Sequence, residues 1–514
     1  MNLFTALRSA WPATQSDTAI LTDKGLAYTW QDLDRATAML ANLLGSLKLH
    51  GVDGRPPVVA AHVDKSVEAL MLYLATLRAG CAFLPLNPAY RADELNYFVN
   101  DARPAVLVCR PADQEWVIPL AAHGHVEHLF TLGQDRTGSL LAHAVHQDDR
   151  HEPVACQPGD LAAILYTSGT TGRSKGAMLS HHNLWCNART LLSLWDWRQD
   201  DCLLHALPIF HIHGLFVACH CALLSGTPMR WLGQFDPASV LREMTAAQGP
   251  RASILMGVPT MYVRLLHDTG LTPEAAHHMR LFVSGSAPML TATHEAFTQR
   301  TGQTILERYG MSETGMLCSN PCRAHEGPRV PGSVGRPLPG VSLRIVDEQG
   351  QVLPAHAIGQ VEVQGANVFG GYLGMPDKTA ESFTADGWFR TGDVGHIDEH
   401  GYVHLSGRAK DLIITGGFNV YPAEVEALID KQPGVVESAV IGVPHPDFGE
   451  GVVAVIVAAP GQTPQETALI QTLKDTIAGF KVPKRIFTVL DLPRNAMGKV
   501  QKNLLRQSFQ HTFQ

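Results

Sequence analysis

One loop of the sequence contains the residue types that hold phosphate groups. Residues 166–176 read Y-T-S-G-T-T-G-R-S-K-G and follow the apolar run 162–165, which predicts a buried strand. Glycines let backbone amides turn toward an anion, hydroxyl groups donate further hydrogen bonds, and a lysine adds positive charge. We therefore expect this loop to bind phosphate. The residues expected to contact it are Thr167, Ser168, Gly169, Thr170, Thr171, Gly172 and Lys175.

This loop differs from the common nucleotide-binding P-loop. The pattern G-x-x-x-x-G-K-[ST] does not fit, because the second glycine counted from Gly169 would fall on Ser174. A flexible surface linker has a similar composition, so the loop alone leaves that alternative open. The motifs further along the chain favour the phosphate site.

Length and composition restrict the class of protein. The chain has 514 residues, more than one ordinary hydrophobic core accommodates, so we expect at least two domains. Hydrophobic residues make up 45% of the chain and charged residues 17%, which is typical of a globular enzyme. The formal net charge of -8 argues against a nucleic-acid partner. An anionic substrate must therefore be held by local features.

Cysteine usage and the N-terminal segment bear on the compartment. The nine cysteines include no C-x-x-C pair, and their odd number suits a reducing compartment. The start, M-N-L-F-T-A-L-R-S-A-W, predicts a short amphipathic helix rather than a signal peptide. The most apolar window, 203–226, is interrupted by four histidines and does not predict a membrane span. We expect a cytoplasmic protein without a membrane partner.

The order of predicted elements indicates two domains. Helix-like and strand-like segments alternate to about residue 400, which is α/β patterning with helices covering sheets. Short strands with glycine-rich turns at 333–404 predict a small β-rich subdomain, and the tail predicts an α+β unit of ordinary domain size. We predict a large N-terminal α/β domain with stacked sheets at 1–407, a hinge at 408–411 and a smaller mobile α+β domain at 412–514.

Six motifs in a fixed order reveal a family resemblance. They are T-S-G-T-T-G-R-S-K-G at 167–176, E-R-Y-G-M-S-E-T at 307–314, T-G-D at 391–393, G-R-A-K-D at 407–411, G-G-F-N-V-Y-P-A-E-V-E at 416–426 and P-R-N-A-M-G-K at 493–499. In this set the chain resembles the adenylate-forming superfamily of acyl-CoA synthetases, adenylation domains and luciferases. The segments P-I-F-H-I-H-G-L-F at 208–216 and R-L-F-V-S-G-S-A-P-M-L at 280–290 look like those of malonyl-CoA synthetases.

The resemblance implies a reaction in two steps. A carboxylate first attacks the α-phosphate of ATP, giving an acyl-adenylate and pyrophosphate, and the thiol of CoA then takes the acyl group. Transfers of this kind depend mainly on positioning and charge neutralisation. The resemblance places Ser312, which replaces the usual threonine, at a phosphate, and Glu313 with Thr167 at Mg²⁺, a hard cation. The residues implied for adenosine are Ser286, Ala287, Pro288, Glu307, Tyr309, Asp393 and Arg408.

The C-terminal domain supplies the remaining implied catalytic groups. By resemblance, Lys499 enters the site from the small domain and joins Lys175 and Glu313 as a catalytic residue. Rotation about a hinge at Lys410 then brings Gly416 and Gly417 to the site, where they admit the pantetheine arm of CoA. Family members are sometimes acylated on this lysine, so an acyltransferase or deacylase acting on Lys499 is a further possible partner.

The acyl pocket decides the substrate. Malonate, a short dicarboxylate, needs a cation for its distal carboxylate, and a guanidinium binds carboxylate in a two-pronged fork. Arg242 is the leading candidate by resemblance, although an exposed helix arginine paired with Glu243 is an alternative. Arg280 competes, but it leads into a predicted strand at 281–283. Further expected substrate-binding residues are His211, His213, Ser284 and Met311.

Other functions remain open at this point. Methylmalonate, a short fatty acid or an aryl acid could replace malonate as the substrate. An adenylation domain that serves a carrier protein would need a downstream carrier, and the chain ends shortly after Lys499. A catalytically silent binding protein would be expected to lack Lys499 or Glu313, and both are present.

Overall fold

The structure, a computed structural model, describes residues 1–167, 174–416, 418–495 and 498–514. Two groups of predicted site residues lie outside these ranges, namely Ser168, Gly169, Thr170, Thr171 and Gly172 of the phosphate loop and Gly417 of the CoA-access pair. Within the described ranges the chain forms four β-sheets. No helix there is both long and apolar enough to cross a membrane.

In the described residues, 24 strands and 16 α-helices follow one another along the chain. The strands are β1 (Thr18–Thr22), β2 (Ala27–Thr29), β3 (Val58–His62), β4 (Ala82–Pro85), β5 (Val106–Cys109), β6 (His128–Thr131), β7 (Leu161–Thr167), β8 (Lys175–Ser180), β9 (Leu203–His205), β10 (Met229–Trp231), β11 (Ile254–Gly257), β12 (Leu281–Ser284), β13 (Ile305–Met311), β14 (Gly315–Ser319), β15 (Arg336–Pro337), β16 (Val341–Val346), β17 (Gly359–Gly365), β18 (Phe389–Ile397), β19 (Val403–Arg408), β20 (Ile413–Thr415), β21 (Phe418–Val420), β22 (Val435–His445), β23 (Gly449–Ala458) and β24 (Arg485–Val489). The α-helices are α1 (Leu3–Ser9), α2 (Trp30–Ser46), α3 (Val67–Arg78), α4 (Ala92–Ala102), α5 (Gln114–His123), α6 (Ser139–Ala144), α7 (His181–Leu194), α8 (His220–Ser225), α9 (Pro237–Thr245), α10 (Pro259–Leu266), α11 (Pro273–Ala276), α12 (Thr291–Thr301), α13 (Pro376–Ser382), α14 (Pro422–Ile429), α15 (Glu466–Lys474) and α16 (Lys502–Phe509).

Two mainly parallel sheets form the framework of the N-terminal domain. The six-stranded sheet has the order β6-β5-β3-β4-β7-β8, and only its edge pair β7–β8 is antiparallel. The nine-stranded sheet has the order β15-β14-β13-β12-β11-β9-β10-β1-β2, and its six strands from β13 to β1 run parallel. Parallel sheets need cover on both faces, which is why strands such as β5 are wholly apolar and buried.

A hydrophobic core joins these two sheets. Every residue of α3 is buried, and the helix begins at Ser66, whose side chain accepts a hydrogen bond from the Ala69 amide. One core cluster contains residues of α3, the six-stranded sheet and the nine-stranded sheet, together with the buried π-helix His213–Cys219. The sheets are therefore held in one packing unit, which fixes the ends of their strands relative to each other.

The chain then changes sheet twice. A four-stranded antiparallel sheet, β16-β17-β18-β19, forms the predicted β-rich subdomain. β19 ends at Arg408, a 3₁₀ turn spans Ala409–Asp411, and β20 starts the sheet of the C-terminal domain. That sheet contains β21-β20-β23-β22, with β24 parallel to β23, and two small core clusters lie against it.

The predicted fold class is confirmed, with one difference in a helix. The sequence pattern predicts a C-terminal helix at about 466–479, but the helix ends at Lys474, and Gly479–Lys481 forms a separate 3₁₀ turn. The intervening residues include Thr476 and Ile477, whose β-branched side chains disfavour helix. The domain limits and the hinge stay predictions, although the change of sheet between Arg408 and Ile413 coincides with them.

Candidate active site

The predicted site residues gather where parallel strands end. β12 and β13 are neighbours in the nine-stranded sheet and end at Ser284 and Met311, while β7 of the six-stranded sheet ends at Thr167. Ligands of open α/β sheets bind beyond the carboxyl ends of strands. A contact between Thr167 and Glu313, in the turn that follows β13, joins the two sheets here.

Thr167 and Glu313, the residues predicted to hold Mg²⁺, lie side by side. The Thr167 hydroxyl Oγ1 is 3.4 Å from Glu313 Oε1, and the Tyr372 hydroxyl donates to the same oxygen at 3.1 Å. Burial raises the pKa of the Glu313 carboxyl, while hydrogen bonds to it, including that of Tyr372, act in the opposite direction. One carboxylate and one hydroxyl oxygen fit Mg²⁺, which usually completes its shell with phosphate and water.

Lys175 adds a cation to this corner of the site. It is the register partner of Thr167 across the β7–β8 pair, and its ammonium lies 4.9 Å from the centre of the Tyr372 ring. Ser312 lies half-buried in the turn between β13 and β14. Thr167 and Lys175 thus flank residues 168–173, predicted to bind phosphate, in the sequence, and Glu313 contacts Thr167.

Tyr309, Asp393 and Arg408 form a second polar group. The Tyr309 hydroxyl donates a short hydrogen bond to Asp393 Oδ2, and Arg408 Nε lies 2.9 Å from Asp393 Oδ1. Arg408 also donates through Nη1 to the Thr391 carbonyl oxygen at 3.0 Å. Burial and the neighbouring Asp393 both raise the pKa of the Tyr309 hydroxyl, which therefore stays protonated. A fixed carboxylate flanked by two donors suits the ribose hydroxyls expected here.

The remaining residues predicted for adenosine occupy neighbouring turns. Ser286 has a left-handed backbone with φ of 72°, and Ala287 and Pro288 follow it after β12. Glu307 accepts a hydrogen bond from the Gly332 amide at 3.2 Å. Burial raises the pKa of the Glu307 carboxyl to about 7.

Lys499 reaches this site from the C-terminal domain. The preceding Gly498 lies against Thr260 of α10, because a Cβ added there would be 2.9 Å from Thr260 Oγ1. The Lys499 side chain keeps contact with solvent, yet the surrounding protein displaces much of its water. This desolvation and the nearby Arg408 lower the pKa of the Lys499 ammonium to about 8, although Asp393 partly opposes them.

The acyl side of the site contains a buried cation, Arg308. Only 3% of this residue is exposed, and its Nη2 lies 3.5 Å from the Ser286 hydroxyl. Burial lowers the pKa of the Arg308 guanidinium to about 9, and burial together with Arg308 lowers that of His211 to about 4. His213, also buried, has its pKa lowered for the same reasons and lies 3.3 Å through Nδ1 from Ser286 Oγ.

Arg308 lacks an acidic partner among the described residues. Its Nε, the His213 Nε2 atom and the Ser284 hydroxyl are buried without a hydrogen-bond partner in the described part of the chain. The guanidinium packs on Gly285, where a Cβ would approach Arg308 Cζ to 2.5 Å. Buried polar groups are normally paired, and Arg308 and His213 both lie near the Ser286 hydroxyl, so these groups would suit a polar ligand.

Sequence reasoning did not single out Arg308. It stands inside E-R-Y-G-M-S-E-T at 307–314, a motif interpreted through its nucleotide contacts. The available signal was alternation: Arg308 lies two residues after the apolar Leu306 in the strand Ile305–Met311, so the two side chains share a face that is expected to be buried. Because most arginines are exposed, the burial of Arg308 was not expected from its residue type.

The two arginines considered for the acyl pocket, Arg242 and Arg280, both have acidic partners. Arg242 is on α9 with 56% of its side chain exposed, and its ion pair in the described structure is with Glu243, Nε to Oε1 at 3.4 Å. Arg280 pairs with Asp201 at the start of β12, at the end of the sheet as expected. Met311 lies half-buried at the end of β13. A role for Arg242 in binding the distal carboxylate stays a prediction.

The predicted hinge belongs to a turn that is fixed to the C-terminal domain. Lys410 lies in the 3₁₀ turn Ala409–Asp411, and burial lowers the pKa of its ammonium. Asp411 pairs with Arg506 of α16 at 2.8 Å. A hinge at Lys410 stays a prediction.

The predicted CoA-access residue Gly416 borders an exposed aromatic surface of the C-terminal domain. Gly416 has a left-handed backbone with φ of 56° and donates its amide to the Phe448 carbonyl at 2.9 Å. Phe418 is 56% exposed and stacks on Phe480 with ring centres 4.7 Å apart. Lys484 Nζ lies 4.0 Å from the centre of the Phe448 ring. We call Phe418, Phe448, Phe480 and Lys484 the aromatic face.

A cavity of about 390 Å³ lies in the N-terminal domain beside segment 208–210, which leads into His211. It receives residues that follow the carboxyl ends of β3, β4, β9 and β10. Lys65 lines it, donating to the His205 carbonyl at 2.9 Å and lying 4.5 Å from the centre of a Trp231 ring. The otherwise mainly apolar lining includes three carboxamides, Asn87, Gln134 and Gln234.

Comparisons with known proteins agree with the motifs. A family model described as AMP-binding enzyme matches residues 8–373, and one described as AMP-binding enzyme C-terminal domain matches 424–499. A mitochondrial malonate–CoA ligase of Bos taurus is 33% identical over 532 residues, covering 96% of this chain and 89% of its own. A feruloyl-CoA synthase of an Amycolatopsis species is 36% identical over 491 residues, covering 94% of each chain.

Solved structures of MatB from Rhodopseudomonas palustris are similar over the whole chain. They are 50% identical and cover 100% of this chain and 99% of theirs. The TM-score is 0.95 against ATP-bound MatB and 0.84 against apo MatB. With its motifs, both domains and these matches in agreement, the chain belongs to the AMP-binding enzyme family.

Proposed function

We propose that this protein joins malonate to CoA through a malonyl-adenylate, converting ATP to AMP and pyrophosphate. The observation that carries the proposal is Arg308, a buried guanidinium without an acidic partner in the described acyl pocket. It lies on β13 directly before Tyr309, which contacts the expected ribose site through Asp393. A second carboxylate in the substrate would pair with this cation.

The first step forms the mixed anhydride. One carboxylate oxygen of malonate attacks the α-phosphorus of ATP, and the bond from this phosphorus to the bridging oxygen of pyrophosphate breaks. Both reactants are anions, so catalysis requires cations around the reacting atoms. Lys499, which comes from the C-terminal domain, is assigned to this position between carboxylate and α-phosphate.

The phosphate side uses the corner formed by Thr167, Lys175 and Glu313. Lys175, Ser312 and the loop before Lys175 would bind the β- and γ-phosphates. Mg²⁺ held by Glu313 and Thr167 would neutralise phosphate charge, which is the chemistry that this ion supplies. Asp393 would accept the ribose hydroxyls, with Arg408 keeping that carboxylate in place.

The acyl pocket favours a dicarboxylate for an energetic reason. A buried charge without a partner is costly, and leaving one member of a buried pair unpaired typically costs about 3 to 5 kcal/mol. The distal carboxylate of malonate would pair with Arg308, while Ser284 and the neutral His213 have free polar atoms for hydrogen bonds. The malonate–CoA ligase relative supports this choice.

A monocarboxylate is the second candidate, because one relative is a feruloyl-CoA synthase. Such an acid would leave Arg308 unpaired, so we expect it to be a poorer substrate. Methylmalonate keeps the second carboxylate, and Met311 at the end of β13 would restrict the space for its methyl branch.

In the second step the CoA thiol attacks the acyl carbon and AMP leaves. The cavity beside 208–210 would take the pantetheine arm, since its carboxamides match the two amides of that arm and its apolar lining matches the dimethyl group. Rotation of the C-terminal domain would bring Gly416 and the aromatic face to the N-terminal domain. The aromatic face would then bind the CoA nucleotide. Lys484 would contact a phosphate and an aromatic ring would stack on adenine.

We also propose a cytoplasmic location. All nine cysteines are free thiols in the structure, which suits a reducing compartment.

The first prediction separates adenylation from thiol transfer. Lys499→Ala should abolish exchange of labelled pyrophosphate into ATP, because it removes the cation between the two anions, and should still permit thiolysis of supplied malonyl-adenylate. Lys431→Ala, at an exposed lysine of the same domain, is the matched control and should keep both reactions. Formation of ADP and orthophosphate instead of AMP and pyrophosphate would refute the proposed route.

The second prediction concerns pH. Lys499 is an ammonium ion below its pKa of about 8 and loses its proton above it. The kcat/KM of the exchange reaction, which reports on the free enzyme, should therefore fall as the pH rises through about 8. Lys499→Arg, whose guanidinium stays charged, should be less active but should show no such fall. A wild-type profile that is flat to pH 9.5 would contradict the assignment.

The third prediction tests the acyl-pocket cation. Arg308→Met should lower kcat/KM for malonate by roughly two to three and a half decades, corresponding to about 3 to 5 kcal/mol, and should affect butyrate far less. Arg242→Leu, at the exposed arginine of α9, is the parallel variant and should change malonate use only a few-fold. If Arg242→Leu lost more kcat/KM for malonate than Arg308→Met, the role would belong to Arg242. A wild-type preference for butyrate over malonate would exclude the dicarboxylate hypothesis.

The fourth prediction concerns the aromatic face. Phe448→Ala and Lys484→Ala should each raise KM for CoA about tenfold, since one base–aromatic stack contributes roughly 1 to 3 kcal/mol. Pyrophosphate exchange should not change, because CoA takes no part in it. Equal effects on exchange and on CoA use would show that the face has no separate role in CoA binding.

A further inference from the structure

Lys499 lies on a short hairpin whose stem is well ordered by hydrogen bonds. Arg494 and Val500 form an antiparallel bridge, and the Asn495 amide donates to the Lys499 carbonyl at 2.9 Å. The Gly498 amide donates to the Asn495 carbonyl at 2.9 Å, and the Lys499 amide donates to Asn495 Oδ1 at 3.0 Å. The backbone at Lys499 is therefore held by its own hairpin.

Arg494 connects this hairpin to the sheet of the C-terminal domain. Its Nη1 donates to the Gly498 carbonyl at 2.7 Å, directly before Lys499. Its Nη2 makes a short ion pair with Glu437 Oε2, on β22. One planar guanidinium thus bonds to the hairpin and to the sheet at the same time, which lysine could not reproduce in the same geometry.

Glu437 is the acidic partner of Arg494. Two other acidic groups influence each other near Glu437, namely Glu426 and Asp430. Glu426 pairs with Lys502 at 2.6 Å, and burial raises the pKa of the Asp430 carboxyl to about 7. In the described structure, the ion pair of Arg494 is therefore with Glu437.

The same backbone atoms also face the N-terminal domain. Gly498 has a left-handed φ of 74°, and a Cβ there would meet Thr260 Oγ1 at 2.9 Å. Arg494, in the C-terminal domain, donates a hydrogen bond to the Gly498 carbonyl. Thr260, in the N-terminal domain, leaves no room for a side chain at Gly498. The residue before Lys499 is thus confined from both sides in this domain arrangement.

We propose that Glu437 and Arg494 are a positioning pair that aims Lys499 at the α-phosphate during adenylation. The inference rests on the function proposed above for Lys499. Neither residue is placed against substrate; they act through the Gly498 carbonyl. Their role belongs to the adenylation step, since thiol transfer does not use Lys499.

Energetics distinguish positioning from ordinary stabilisation. Both side chains keep contact with solvent, 24% exposed for Arg494 and 23% for Glu437, and ion pairs in contact with solvent contribute little to folding. Misplacing a catalytic group by about 1 Å can cost around a hundredfold in rate. Breaking the pair should therefore affect the rate of adenylation much more than stability.

The experiment measures both half-reactions in Glu437→Gln and Arg494→Gln. We expect kcat of malonate-dependent pyrophosphate exchange to fall at least tenfold in each variant. KM for malonate, thiolysis of supplied malonyl-adenylate and the melting temperature should stay close to wild type. Hydrogen exchange at the Gly498 and Lys499 amides should become faster, because the hairpin loses its connection to β22.

Two further variants test the geometry. Arg485→Gln removes a comparable ion pair from the same domain, that of Arg485 with Glu466. It should leave malonate-dependent pyrophosphate exchange unchanged. The charge reversal Glu437→Arg with Arg494→Glu restores an ion pair but not the donor to the Gly498 carbonyl. Pyrophosphate exchange should therefore stay low.

The outcomes are separable. Unchanged exchange in Glu437→Gln, equal loss of both half-reactions, or full rescue by the charge reversal would overturn the positioning role. Absence of malonate-dependent exchange in the wild-type enzyme would instead overturn the proposed function. Amide exchange at Gly498 and Lys499 would still decide in that case whether the pair orders the hairpin.

Discussion

Repulsion between two anionic reactants is the constraint on which the structure of this site depends. A carboxylate and a phosphate at 4 Å repel by about 4 kcal/mol per pair of unit charges in a medium of intermediate polarity. The chain as a whole offers no attraction, because its net charge is -8. Positive charge must therefore be concentrated locally, and Lys175, Arg308, Arg408 and Lys499 supply it.

The alternation of side chains along β13 distributes these charges. Neighbouring residues of a strand point to opposite faces. Arg308 accordingly contacts Ser286 on the acyl side, whereas Tyr309 reaches Asp393 and, through it, Arg408. Glu313 follows in the next turn and meets Thr167 from the other sheet. In the proposed mechanism, one strand and the turn after it would thus serve the acyl, ribose and phosphate positions, and the shared core between the two sheets keeps their spacing fixed.

Much of this arrangement could be predicted from the sequence. Hydrophobic patterns were sufficient for the α/β and α+β domains, and the family resemblance placed Thr167 with Glu313 and Asp393 with Arg408. The acyl pocket was harder, because its cation depends on which face of a strand is buried. Arg242 fitted the chemistry but is 56% exposed on a helix, while Arg308, hidden within a nucleotide motif, is 3% exposed. Periodicity alone cannot rank two arginines whose difference lies in tertiary packing.

The charge of Lys499 also links substrate binding to domain arrangement. Its pKa is lowered to about 8 by desolvation and by Arg408, so holding this ammonium in the site is unfavourable without anions present. The negative charges of ATP and a carboxylate would remove the free-energy cost of keeping Lys499 charged. Their binding should then stabilise the arrangement in which Gly498 contacts Thr260 by that same free energy. Loss of pyrophosphate after adenylation removes most of this negative charge. The electrostatic reason for keeping Lys499 in place would then weaken at the step in which, in the proposed mechanism, the aromatic face replaces it.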